Sequence, residues 1–172
     1  MRRVRSFVLL CSLLGAFASS ASAREFVQFS APPFLAGPSV SRSAFGITYV
    51  YRGRAPFAQS ELQITVVEVP KELAGDATRL PADCVGAFLN ELRARDPGLM
   101  VGSEESASTA GTLTLVERRW LSQRGERMMT GVTACGLHRG YFVSANFADD
   151  LRSAVQSFPA VRAALERLTL RF

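Results

Sequence analysis

The feature that most limits how this chain can fold is a run of three extended segments with almost nothing between them: residues 112–122, 126–136 and 140–147. Gln123-Arg124-Gly125 separates the first two, and Leu137-His138-Arg139 the second two. Connections this short leave only antiparallel neighbours, because parallel strands need a crossover of a dozen residues or more. The run predicts a three-stranded meander around which the remainder is built. Its first strand carries Leu113, Leu115, Val116, Trp120 and Leu121, apolar on both faces, which predicts a central strand with one face under a helix. The one tryptophan (Trp120) and the one histidine (His138) both fall in the run, with Cys135.

The flanking segments add strands and two helices. Residues 25–40 read as aromatic, proline-rich and irregular, with at most a short strand over 26–30, and Phe26 and Phe29 are expected to pack on the domain. Residues 45–51 alternate Phe45, Ile47, Tyr49 and Tyr51 with smaller side chains, and residues 61–69 set Leu62, Ile64 and Val66 against Gln63, Thr65 and Val67. Both are β-branched or aromatic segments with period two, which predicts strands. The loop 52–60 between them reads as a hairpin connection with a mobile tip, and Pro70 ends the second strand. Over 82–95, Val85, Phe88, Leu89 and Leu92 recur at helical spacing, with Pro81 and Asp83 at the entrance and Asp96-Pro97-Gly98 at the exit. A weaker strand is expected over 99–105, then a Ser/Ala/Gly turn to Gly111. Residues 149–166 form a second helical region that Pro159 either splits or restarts, and Leu168, Leu170 and Phe172 alternate as a closing strand anchored in the sheet. The order is β-β-α-β-β-β-β-α-β. It predicts one α+β domain over 24–172, a single antiparallel sheet of about six to seven strands with two helices packed on it.

The first residues predict export. Arg2, Arg3 and Arg5 precede an apolar run from Phe7 to Phe17, and Ala21-Ser22-Ala23 offers small residues at a cleavage site, so residues 1–23 read as a secretory leader cut before Arg24. The apolar run is shorter than the ~20 residues a bilayer core requires. No later segment reads as a membrane span, so no integral membrane segment is expected after processing, and the compartment is periplasmic or extracellular. Removing the leader takes the 20 basic side chains to 17 against 15 acidic ones. That balance gives no basis for a nucleic-acid partner. No cofactor motif is present: there is no Gly-rich phosphate loop and no Gly-x-Ser-x-Gly elbow.

The pattern resembles the PsbP-like fold of small exported accessory proteins. The resemblance is carried by the strand 64–69 ending in Val69-Pro70, the helix 82–95 stopping before Pro97-Gly98, the meander with Arg124-Gly125 at its first turn, and the helix-to-strand ending over 163–172. It implies a non-enzymatic binding or assembly protein with no cofactor of its own, and it transfers no functional residue.

The chemistry-bearing residues support two readings. In an oxidising compartment Cys84, at a helix start, and Cys135, on the meander, make an even pair suited to a disulfide. A bridge across that span is worth roughly 4 kcal/mol on the chain-entropy estimate. A zinc site needs more ligands than one His and two separated Cys supply. Alternatively, Asp83-Cys84-Val85-Gly86 followed by His138 is similar to the nucleophile and base of NlpC-type cell-wall cysteine peptidases. A helix N-terminus would then lower the Cys84 thiol pKa, and Asn146 or Asp149 would orient the imidazole. Val85 stands where those enzymes have Ser, and the Pro-Tyr-x-x-Gly-Gly approach is missing. Arg118, Arg119, Arg124, Arg127 and Arg139 crowd the meander and its turns, either as edge-strand charge or as a basic patch for an envelope protein or anionic surface. Tyr141 is placed beside that patch and Trp120 in the core. Glu104-Glu105 on a strand point to opposite faces, and Asp149-Asp150 charge a helix start. A third use, carriage of a small molecule in an apolar pocket between helix and sheet, depends on a cavity that sequence does not reveal.

Overall fold

The computed structural model describes residues 26–44, 46–69, 79–103 and 105–171, and of Arg124 the backbone alone. The leader and its cleavage point, Phe45, the Pro70 strand stop, Glu104 and Phe172 lie outside the described residues. The element order is β1 (Val27–Gln28), β2 (Leu35–Arg42), β3 (Gly46–Gly53), β4 (Glu61–Glu68), α1 (Leu80–Arg95), β5 (Met100–Val101), β6 (Ser106–Ala110), β7 (Leu113–Arg124), β8 (Arg127–His138), β9 (Tyr141–Asp150), α2 (Leu151–Leu165) and β10 (Thr169–Leu170). The architecture is α+β. An eight-stranded antiparallel sheet runs β2-β3-β4-β9-β8-β7-β5, with β6 also paired to β7.

The meander β7–β8–β9 forms as expected, with both turns reversed through left-handed residues: Gly125 (φ 61°) in one, Arg139 (φ 49°) and Gly140 (φ 81°) in the other. The central strands are β4, β9 and β8. β7 lies next to the short edge strands β5 and β6 instead of in the middle. Two strands depart from expectation. β2 occupies what reads as an irregular stretch, and β6 what reads as a turn; both are mostly exposed edge strands of small residues with no apolar alternation. The edge strand β2 carries Pro38 and a register shift between Ala36 and Ser39, which blunt an edge against further pairing. The closing strand also differs: β10 pairs with β1 in a separate two-stranded ribbon, not in the main sheet. The loop after β3 folds back on itself, Phe57 N–H donating to Arg54 O and Ser60 N–H to Phe57 O. Its Phe57 ring lies 4.7 Å from Phe34, so the tip is tied down.

The two sheet faces are built differently. On one, Ile47, Tyr51, Leu62, Ile64, Val66, Val143 and Phe147 form the main core under α2, with Leu168 and the N-terminal aromatics. Phe158 of α2 meets Phe147 edge-on at 5.0 Å, and Phe29 meets Tyr51 at 5.1 Å, the packing expected of Phe29. α2 is one continuous helix through Pro159. The carbonyl that Pro159 leaves without a donor belongs to Val155, which is 80% exposed, so water can take its place. Asp150 is the N-cap, accepting from Arg152 N–H at 2.9 Å. Asp149 does not share that role: it is fully buried and accepts from Ser157 Oγ at 2.5 Å and Asp150 N–H at 2.7 Å.

On the other face α1 packs over β7 and β8, with Val85 and Leu89 buried against Trp120 and Met129. It begins at Leu80, so Asp83 sits inside the first turn, and no side chain caps its N-terminus. Its two ends are held. Cys84 meets Cys135 at disulfide distance, their Cα atoms 6.3 Å apart. At the C-terminus Asp96 accepts from Ser122 Oγ on β7 and from Gly98 N–H.

Beneath α2, Glu117 is buried and pairs with Arg162 at 2.6 Å while accepting from Ser106 Oγ at 3.1 Å. Burial pushes its carboxyl pKa up. The Ser108 hydroxyl, the Arg162 guanidinium and the Ser106 hydroxyl together pull it down by more, leaving it below the ordinary carboxylate value. A carboxylate whose folded pKa is depressed contributes stability above its unfolded pKa and loses it as pH falls through the folded pKa. Glu117→Gln should therefore destabilise the protein at neutral pH by about 1–2 kcal/mol, Arg162 being half exposed. In melting curves recorded from pH 7 downwards, the gap from the parent should close below the ordinary carboxylate range.

Candidate functional site

Because α1 lies mainly over β7 and β8, and meets β9 where Leu80 packs with Phe142, the same face of β4 and β9 stays open beside its C-terminal half. There the strand register sets polar side chains shoulder to shoulder. Gln63 on β4 is directly opposite Asn146 on β9, and Asn146 directly opposite Thr133 on β8. Further along, Thr48 and Thr65 hydroxyls are 3.2 Å apart and Gln63 Nε2 donates to Thr65 Oγ1 at 3.2 Å. The open flank of α1, with Phe88, Leu92 and Arg95, makes the opposite wall. Between wall and floor lies a cleft of about 580 Å3, reached by Gln59 and Glu61 on one side and Arg127 on the other. Its volume is within the range of small-molecule sites.

Trp120 forms part of the lining. Its indole lies against Gly131, the residue opposite it on β8, where a Cβ would overlap the ring. The ring is 5% exposed. Trp120 Nε1 and Asn146 Oδ1, both in the lining, have no hydrogen-bond partner within the protein, and neither has Thr133 Oγ1 next to Asn146. Buried polar atoms nearly always find partners, so these three groups add unmet hydrogen-bonding capacity close to the cleft floor. The cleft is half polar, in contrast to the apolar pocket that carriage was expected to need. A second cavity, between α2 and β7, is about 30 Å3, the size of one water.

The residues singled out in the sequence divide. Cys84 and Cys135 come together. His138 does not join them: strand alternation turns Cys135 toward α1 and His138, three residues on, to the other face. Asn146 is on the α1 face, five positions along β9 from the partner of His138, or on the order of 17 Å. The Cys84–His138–Asn146 constellation is therefore not assembled. The arginines do not form one patch either. Arg118 pairs with Glu105 at 3.7 Å, Arg119 is exposed on the α2 side, and Arg127 opens on the cleft. Arg139 caps the far end of the meander from the Arg124–Arg127 turn, on the order of 35 Å away along the strands. Tyr141 packs against Phe26, 5.7 Å between ring centroids. Trp120 is buried as expected, but at the cleft. Gln63 and the site role of Asn146 were missed. Each reads as the solvent-facing alternate of a strand, and only their register reveals them as a pair. Among the described residues no group of three or more His, Cys, Asp or Glu is placed to hold a metal, and no helix is long and apolar enough to cross a membrane.

No family model matches the sequence, and no curated protein matches it. Solved structures do. The chain is similar to LpqN, described as involved in cell envelope biogenesis of Mycobacterium tuberculosis, at 12% identity and a TM-score of 0.53 over 85% of this chain and 83% of that one. It is similar to cyanobacterial PsbP (CyanoP) from Synechocystis at 13% identity and a TM-score of 0.51 over 92% and 99%. It is also similar to a Pseudomonas aeruginosa protein of unknown function, at 16% identity and a TM-score of 0.50 over 82% and 89%. At these identities the likeness establishes the fold, which is PsbP-like, and nothing finer.

The cysteine pair gives a direct test. Protein from residue 24 onward, which leaves Cys84 and Cys135 as its cysteines, purified from an oxidising compartment and denatured, should take up no iodoacetamide, and two alkyl groups after reduction, as read by intact mass. An alkylation-sensitive Cys84 without reductant would contradict the bridge.

Proposed function

We propose that this chain is an exported, non-enzymatic accessory protein of the bacterial envelope, acting in the periplasm or outside the cell, and that its working site is the cleft between α1 and the sheet. The observation that carries the reading is the cleft itself: about 580 Å3 of mixed polar and apolar lining with Trp120 Nε1 and Asn146 Oδ1 left without partners. Pre-formed concave sites with a few oriented polar groups are where small ligands bind. The leader read from residues 1–23, the bridge expected of Cys84 and Cys135, and the fold shared with an envelope-biogenesis protein support the compartment. Tying Cys84 to Cys135 would withdraw the thiolate that a peptidase needs, and His138 on the opposite face offers it no base.

The single tryptophan makes the proposal testable. Trp120 is the only tryptophan of the chain and lines the cleft, so its emission reports occupancy there. Titration of the mature protein with fractionated envelope material should yield a fraction that shifts the emission saturably. Leu92→Arg, which places a guanidinium in the cleft from its half-exposed wall, should weaken that binding by about tenfold or more, the equivalent of ~1.4 kcal/mol. Binding unchanged in Leu92→Arg would overturn the assignment of the site.

A further inference from the structure

The chemistry of the cleft narrows what fits it. Its floor is the face of an interior strand, β4, whose backbone is already paired to β3 and β9. An extended peptide gains its main-chain bonds at a sheet edge, and this floor offers side chains only. An acyl chain would lay methylenes over the solvent-reached amides of Gln59 and Gln63, which would lose water and gain no hydrogen bond in exchange. A hydroxyl-rich ligand suits the floor better. Each primary amide both donates and accepts, as each sugar hydroxyl does, and Gln59, Gln63 and Asn146 bring three amides to one lining. The Phe88 and Leu92 wall gives the C–H face of a sugar ring an apolar surface to pack on.

Charge adds a second element. Three charged residues line the cleft. Glu61 is paired with Arg52 at 3.2 Å, and Arg95 is paired with Glu91. Arg127 has no ion pair among the described residues and lies on the cleft face of β8. A guanidinium at the rim is a bidentate partner for a carboxylate or phosphate.

Resting on the cleft reading above, we infer that the ligand is a saccharide carrying one anionic group. Its hydroxyls lie on the amide row of Gln59, Gln63 and Asn146, and its anion lies on Arg127. The recognition is non-covalent and leaves the sugar unchanged.

Titrations of Trp120 emission with four defined probes test this: a glucuronate-containing tetrasaccharide, glucose 6-phosphate, a neutral glucose tetrasaccharide and tetraglutamate. The tetrasaccharide with glucuronate, or the phosphate sugar, should bind about tenfold or more tighter than the neutral one, and which of the two does so identifies the anion. Arg127→Gln, at the exposed first position of β8, should erase that preference. Equal affinity for neutral and anionic sugars, a preference that survives Arg127→Gln, or binding of tetraglutamate alone would overturn the inference. If no sugar binds while an envelope fraction still binds in a Leu92→Arg-sensitive way, the saccharide falls and the cleft stands. Sugar binding indifferent to Leu92→Arg would overturn the cleft itself.

Discussion

The seating of α1 on half of one sheet face is the constraint from which the rest follows. The helix is fixed near its start where Cys84 meets Cys135, along its middle by Val85 and Leu89 against Trp120 and Met129, and at its end by Asp96 on Ser122. Its first turn also packs Leu80 on Val69 and Phe142, while its C-terminal half stays over β7 and β8, and the strip of β4 and β9 left uncovered there becomes the floor of the cleft. A cross-link between these residues, 51 apart, would also remove much of the denatured chain's freedom, so the contact that fixes the wall would contribute to the stability of the whole.

The two faces are built differently. Under α2 the sheet buries a continuous aromatic and aliphatic core, into which Glu117 is admitted with Arg162 and Asp149 with Ser157. Beside α1 the sheet presents the amides and hydroxyls of Gln63, Asn146, Thr48 and Thr65, open to a cleft on their far side. A concave surface with a few oriented polar groups is a physical reason to place binding there.

Much of the architecture was legible in the residues. The meander, the strands at β3 and β4, both helices and the cysteine pair all carry strong local signals: period-two alternation, helical spacing, short turns. β2 and β6 were hidden because an edge strand of small residues such as Ser-Ala-Ser-Thr-Ala is held by backbone bonds to a neighbour already in place, and that leaves no mark in its own hydrophobicity. The destination of β10 depended on β1, a two-residue strand with no independent signal. The site was hidden for another reason. Gln63 and Asn146 are 83 positions apart, each is unremarkable in its strand, and they become a pair only through the β4–β9 register. The burial of Trp120 is legible in its strand, but its match to Gly131 on the next strand, which makes room for the indole, is again a property of register. His138 shows the converse: scarcity drew attention to a residue that strand alternation places on the wrong face for Cys84.

Binding between α1 and the β4–β9 strip can be read by amide and indole chemical-shift mapping on 15N-labelled protein from residue 24 onward, with the bound envelope component. Such binding moves the indole N–H of Trp120 and the side-chain amides of Gln63 and Asn146 together and leaves the α2 surface unperturbed. Shifts confined to α2, to the Arg54–Ser60 loop or to the β8–β9 turn, with the Trp120 indole unmoved, would contradict it.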